Sequence, residues 1–211
     1  MRYLIVNADD FGYSPGVNRG IIEGHTKGVV TSTSVMVDGV AAKEAAELTA
    51  KLPELSVGLH FAIKDFSNIE AEFTRQIEKF ITIVGANPDH IDTHKIYTSH
   101  EGFRDVLDTY SKKTNTPIRE FGFAKFIDSF FGGSDTQGDV SVKQFKKAID
   151  QATDDCNEIM CHVGYSDDYM REHSSYNDKR EEELKTICDP RIKAYIAERG
   201  LELCNWRRVK V

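Results

Sequence analysis

Arg2-Tyr3-Leu4-Ile5-Val6-Asn7-Ala8-Asp9-Asp10-Phe11-Gly12, followed by Tyr13-Ser14-Pro15, is the stretch from which the architecture follows. The apolar, β-prone run Tyr3-Leu4-Ile5-Val6 reads as a buried strand. It ends in two carboxylates and a glycine, the place where α/β proteins build their sites. Ser14 then reads as the N-cap and Pro15 as the first residue of a helix over 15–27, which Gly28 stops. Adjacent residues of a regular strand face opposite sides. For Asp9 and Asp10 to serve one site, the strand has to end or twist there, and Gly12 makes such a break easy. Two like charges side by side are costly unless a cation or a proton lies between them. As a dipeptide alone, Asp-Asp is more often a solvated turn.

Outward from this stretch the same alternation repeats. Strands are predicted over 31–37, 55–63, 90–97, 118–123, 158–163 and 201–206. Helices are predicted over 41–51, 69–85, 103–114, 142–156 and most of 180–199, and 126–139 reads as a connection. About seven strands alternating with helices imply an α/β fold whose parallel sheet has helices outside it. Pattern alone does not separate a closed barrel from an open sheet.

With 211 residues, 40% hydrophobic and 29% charged, the chain suits one globular domain spanning 1–211. No window approaches the ~20 apolar residues of a membrane span. Residues 3–6 are too short for a signal-peptide core, so a cytoplasmic location is expected. The net charge of −7 argues against nucleic acid and anionic membrane as partners. Cys156, Cys161, Cys188 and Cys204 form no CxxC pair and read as reduced residues, mostly of the core. Cys161 abuts His162, but in a strand the two point apart.

Polar residues recur at one address, the C-terminal ends of the predicted strands. Asp9-Asp10 ends the first and His60 lies on the third. His90-Ile91-Asp92-Thr93-His94 puts His90, Asp92 and His94 on one face of the fourth. His162 lies on the strand Ile159-Met160-Cys161-His162-Val163. A lone strand histidine is usually a hydrogen-bonded core residue, but in His-x-Asp-x-His the aspartate can orient an imidazole ligand. Strand ends converge at one rim of a parallel sheet. One carboxylate and two imidazoles suit Zn²⁺ and its first-row neighbours, and three protein ligands leave a position open for chemistry. A spare carboxylate and His162 then supply a base and an acid.

Asn7-Ala8-Asp9-Asp10-Phe11-Gly12, Val57-Gly58-Leu59-His60-Phe61, His90-Ile91-Asp92-Thr93-His94 and Met160-Cys161-His162-Val163-Gly164-Tyr165 resemble the motifs of the YdjC-like carbohydrate deacetylases, which include the chitooligosaccharide deacetylases. Gly20-Ile21-Ile22-Glu23, Val30-Thr31-Ser32-Thr33-Ser34 and Ser174-Ser175-Tyr176-Asn177 leading to Arg180-Glu181 fit as well. The resemblance implies a distorted (β/α) barrel related to the polysaccharide deacetylases, and removal of an acetyl group from an N-acetylated sugar or oligosaccharide. It implies one divalent ion, Mg²⁺ or Zn²⁺, on Asp10, His60 and His94. Asp9 would be the base, and His162 the acid or an orienting residue. Asp92, Tyr97 and Arg119 are the candidate substrate contacts.

The chain departs from the family in three places. Lys95-Ile96-Tyr97 follows His94 where the family has further histidines. Val163 replaces a proline, and the segment between His60 and His90 is short. The short segment leaves the cleft either more open or completed by a second subunit in a homodimer. Two rival readings stay open: a sugar- or metal-binding protein on the same scaffold, and a metal-dependent hydrolase of a non-sugar amide. A glycosidase is disfavoured, because neighbouring carboxylates can hardly flank a bond ~5 Å or more apart.

Overall fold

The computed structural model describes residues 1–95, 100, 102–130 and 138–209. The opening stretch forms β1 (Arg2–Phe11) and runs into α1 (Pro15–Lys27), with the Ser14 side chain capping the amide of Val17 and Pro15 in the first turn. There follow β2 (Ser32–Val35), α2 (Ala42–Thr49), β3 (Ser56–Phe61), α3 (Ile69–Val84), β4 (Ile91–Thr93) and α4 (Phe103–Thr114). The second half holds β5 (Lys125–Ile127), α5 (Val142–Asp150), β6 (Cys156–Cys161), α6 (Asp168–His173), α7 (Asp178–Ile187), α8 (Pro190–Glu198) and β7 (Leu201–Leu203). No described helix is long and apolar enough to cross a membrane.

The strands pair in the order β4-β3-β2-β1-β6-β5, with β7 beside the first residues of β1, and every pairing is parallel. Strands β4 and β1 are three places apart, about 14 Å in a flat sheet at ~4.8 Å per strand. Yet the Asn7 amide of β1 reaches Asp92 of β4 at 3.1 Å. The sheet is therefore curled, as in the distorted barrel that the family resemblance implies. Ile118 narrows the open side by a single parallel bridge to Ile91.

Alternation along β1 divides two cores. Leu4, Val6 and Ala8 join the apolar layer beneath the helices, whereas Asn7 and Asp9 bond to groups inside the barrel. The barrel interior is thus largely polar. Gly58 gives it room, since a Cβ there would lie 2.4 Å from the His90 ring. His90 in turn stacks on the buried Trp206, with ring centroids 5.1 Å apart, so Trp206 packs the barrel.

Four boundaries differ from the sequence expectation. The strand predicted over 118–123 is broken because Glu120 and Gly122 adopt positive φ, 65° and 87°. Pairing resumes only at β5. The helix predicted to 156 ends at Asp150, where Asn157 bonds both the amide and the carbonyl of Asp154 and turns the chain into β6. The helical stretch over 180–199 is split at Asp189-Pro190, because Asp189 caps a new helix. Of the strand predicted over 90–97, Ile91–Thr93 pair with β3, and 96–99 lie outside the described residues. All four cysteines are free. Cys161 belongs to the core while His162 lines a cavity, so the two diverge as alternation requires.

Candidate metal and active site

The pairing register of β1 shifts between Ala8 and Phe11, and Asp10 takes a left-handed φ of 72°. Strict alternation would send Asp10 outward with Ala8. The bulge turns it inward beside Asp9, a conformation that aspartate tolerates better than most residues. Gly12, φ 92°, completes the turn. Its amide is held by Asn18 Oδ1 at 2.7 Å, which fastens the turn to α1.

Asp10 Oδ1 lies 3.2 Å from His60 Nε2 and 3.1 Å from His94 Nδ1, and the two nitrogens are 3.4 Å apart. Ligands of one tetrahedral ion at ~2.0–2.1 Å are separated by about 3.3 Å, so the three donors fit a single ion. His60 is buried, whereas the His94 side chain is 32% exposed, so the shared point is reachable from solvent. The three donors come from β1, β3 and the residue after β4, the convergence the sequence predicts.

Each donor is braced from behind. Asp92 Oδ1 accepts from His60 Nδ1 at 2.6 Å, with Ser34 Oγ 3.2 Å from the same nitrogen. This leaves His60 Nε2 facing the site. Asp92 was expected at the substrate. It is instead buried behind His60 and does not line the cavity. Its Oδ2 is taken by Asn7 and Arg119, and these contacts hold its carboxyl well below the usual range despite burial. Replacing Asp92 with Asn removes the charge that favours His60 as a ligand. Metal affinity is expected to fall about 10–100-fold, as measured by titration against a competing chelator.

Arg119, also an expected substrate contact, lines the cavity and at the same time binds buried carboxylates. Its Nη1 and Nη2 clasp Asp9 Oδ2 and Oδ1 at 2.7 and 2.8 Å, while Nε and Nη2 reach Glu158 Oε1 at 3.0 and 2.8 Å. Three buried carboxylates, Asp9, Asp92 and Glu158, therefore share one guanidinium. Burial pushes Glu158 up, and Arg119 opposes that shift. Asp9, His60 and Asp92 also place three donor atoms within 4.8 Å of one another, but Arg119 already supplies the cation among them.

His162, the residue after β6, lines the same cavity as Asp9 and Asp10, with a volume of about 640 Å³. Burial pulls its imidazole down to about 4, against the opposing pull of Asp10 and Asp9. It is therefore neutral at rest. Its backbone amide donates to Glu183 at 2.6 Å, and Glu183 also accepts from the Tyr176 hydroxyl. Burial raises Glu183 to about 7. Phe126, Met160 and Tyr176 supply apolar wall to this cavity, and Phe126 covers the Arg119 guanidinium at 5.0 Å. A second cavity shares Tyr13, His94, Lys95 and His173 with the first, so the cleft continues past the donors. Tyr97 lies outside the described residues.

The pH dependence of metal binding follows from His60. Burial lowers this imidazole, but Asp92 and Asp10 outweigh burial and bring it up to about 10 without a metal. At neutral pH it carries a proton that an ion must displace. Affinity should therefore rise about tenfold per pH unit between 6 and 8. Calorimetry in buffers of different ionisation enthalpy should register about one proton released.

Sequence reasoning gave no individual role to Arg180, Glu158, Glu183 or Asn7. Asn7 and Glu158 are in phase along their strands with Asp9 and His162, and that alternation was the signal available for them. Arg180 and Glu183 sit in the charged run Asp178-Lys179-Arg180-Glu181-Glu182-Glu183, which looks like a solvated helix face. Instead Arg180 Nη2 binds Asp10 Oδ2 at 2.6 Å from 170 residues away.

Comparison with known proteins places this geometry. The family model described as YdjC-like protein matches residues 3–69 and 63–198. The chain belongs to the YdjC-like family. A relative named carbohydrate deacetylase from Geobacillus stearothermophilus is 36% identical, over 98% of this chain and 97% of its own. The crystal structure of a putative cellobiose-phosphate cleavage protein from Enterococcus faecalis V583 superposes with a TM-score of 0.87 at 25% identity, covering 100% of this chain and 99% of that one. A family 4 carbohydrate esterase from Streptomyces lividans, in complex with acetate, shares the fold at TM-score 0.63 and 14% identity, covering 100% and 96% of the two chains. The barrel of this YdjC-like protein is thus one it shares with carbohydrate esterases.

Proposed function

We propose that this YdjC-like protein is a metal-dependent hydrolase that removes the acetyl group from an N-acetylated sugar or oligosaccharide. The observation that carries the reading is the triangle of Asp10, His60 and His94 donors, of which Asp10 and His94 line a cavity that Asp9 also lines. Three ligands with a solvent-facing side make a catalytic arrangement, since a closed structural site takes four. The family and the name of its Geobacillus relative support acetyl removal from a carbohydrate. Two nitrogen donors favour Zn²⁺ or a first-row neighbour over Mg²⁺, which prefers an all-oxygen shell.

When bound, such an ion polarises the acetyl carbonyl, stabilises its oxyanion and acidifies water. The chain supplies the rest. Asp9, oriented by Arg119, accepts the proton of the attacking water. The acetyl C–N bond then breaks, and the departing amine receives a proton at nitrogen. Because His162 is neutral at rest, its part is to orient the substrate through one ring nitrogen. The proton collected by Asp9 is the one the amine receives. Phe126 and Tyr176 offer faces on which a sugar ring can stack, and the continuing cleft leaves room for further sugar units.

The test is acetate release from N-acetylglucosamine oligomers, measured after chelation and again after adding back Zn²⁺, Co²⁺ or Mg²⁺. Acetate release that depends on the added ion is expected. Tight ion binding with no acetate from any N-acetylated sugar would instead favour a binding protein on this scaffold.

A further inference from the structure

The two oxygens of Asp10 have different fates. Oδ1 faces His60 and His94, at 3.2 and 3.1 Å. Oδ2 points the other way, to Arg180 Nη2 at 2.6 Å. Arg180 is only 4% exposed. Its Nε donates to the Tyr176 carbonyl at 3.0 Å, and its own carbonyl accepts from the Gly164 amide at 3.3 Å. The guanidinium is therefore held by two bonds, on a residue whose backbone is tied to Gly164, and Oδ2 is engaged by it instead of by the two histidines. The pair is also charge-balanced, one buried guanidinium against one buried carboxylate.

We infer that Arg180 is a positioning residue that restricts Asp10 to one coordinating oxygen and offsets its charge, keeping the metal site open and its ion loosely compensated. A free carboxylate can offer both oxygens to a divalent cation and bring its full negative charge. Held by Arg180, Asp10 offers one oxygen and little net charge. The two imidazoles add none, so the positive charge available to polarise an acyl oxygen stays high. The price is weaker binding of the ion, since a buried guanidinium and a divalent cation repel across one carboxylate.

This inference rests on the metal reading of the Asp10-His60-His94 triangle, and the experiment separates the two. Co²⁺ is titrated into the wild type, Arg180→Met and Arg180→Lys, each first checked for folding by circular dichroism. The visible band of the bound Co²⁺ and its dissociation constant are then recorded. In Arg180→Met, Oδ2 is released to join the ion. The band should weaken several-fold as coordination number rises, and binding should tighten roughly tenfold or more. Arg180→Lys keeps the charge and should stay near the wild type. A merely structural role predicts the opposite sign, weaker binding in Arg180→Met, and that result would overturn the inference. So would an unchanged band.

If Arg180→Met does not fold, X-ray absorption on the Co²⁺-loaded wild type decides instead. A carboxylate carbon at the short distance of two-oxygen binding sinks the inference, and its absence supports it. A wild type that takes up no Co²⁺ overturns the metal reading itself, and the inference with it.

Discussion

Asp10→Ala, His60→Ala and His94→Ala should each abolish stable metal binding and lower acetate release about a thousandfold or more. The three donor atoms lie within 3.4 Å of one another, so each supplies one of three contacts to the same ion, and two ligands seldom retain a divalent cation at working concentrations. Lewis-acid polarisation contributes several kcal/mol to the transition state, and every ~1.4 kcal/mol is tenfold in rate. The variants should differ in stability. His94→Ala removes a partly exposed ring and should fold like the parent. His60→Ala leaves Asp92 without its 2.6 Å partner inside the barrel, which costs of order 1–3 kcal/mol. Metal analysis of the purified variants together with thermal melts checks both statements. An ion retained at full stoichiometry in all three would disprove the assignment.

Asp9→Asn should behave in the opposite way, keeping the ion and losing turnover by about 10²–10⁴-fold, the usual contribution of a positioned base. Asp9 is not one of the three donors of the triangle and is held by Arg119 and Asn7. Asn fills the same space and can still accept from Arg119 through one oxygen, but it cannot take a proton from water. Arg119 keeps Asp92 and Glu158 as partners, so the barrel interior remains paired. Full metal content with acetate release near background is the expected result. Loss of the ion would assign Asp9 to the coordination shell instead of to proton transfer.

The residues legible in the sequence are those whose position follows from local chemistry. Ser14-Pro15 start a helix because a cap and a fixed φ act within a few residues. Asp9, Asp10, His60, His94 and His162 stand out because period-two alternation places polar groups at strand ends. The demand that β1 break near Gly12 anticipates the bulge at Asp10. What stayed hidden depends on distance. Glu120 and Gly122 end a strand that looks continuous, because the curled sheet offers Ile118 a single bridge. The place of Asp92 behind His60, and the grip of Arg119 on buried carboxylates beside the cavity it lines, stayed hidden for a related reason. Sequence shows that a charged residue lies near a site, but not which counter-charges a buried charge turns to.

The position of β1 carries a consequence for biosynthesis. One edge of this central strand is paired by β2 about 25 residues later, but the other waits for β6, whose Cys156 stands opposite Tyr3. On the ribosome, at ~5–20 residues per second, that edge stays unpaired for roughly eight to thirty seconds. Arg180, which steadies Asp10, is translated later still. The N-terminal half therefore leaves the tunnel with all three candidate ligands but without the scaffold that presents them. A nascent chain arrested before residue 156 should be a good client for chaperones and a poor trap for metal.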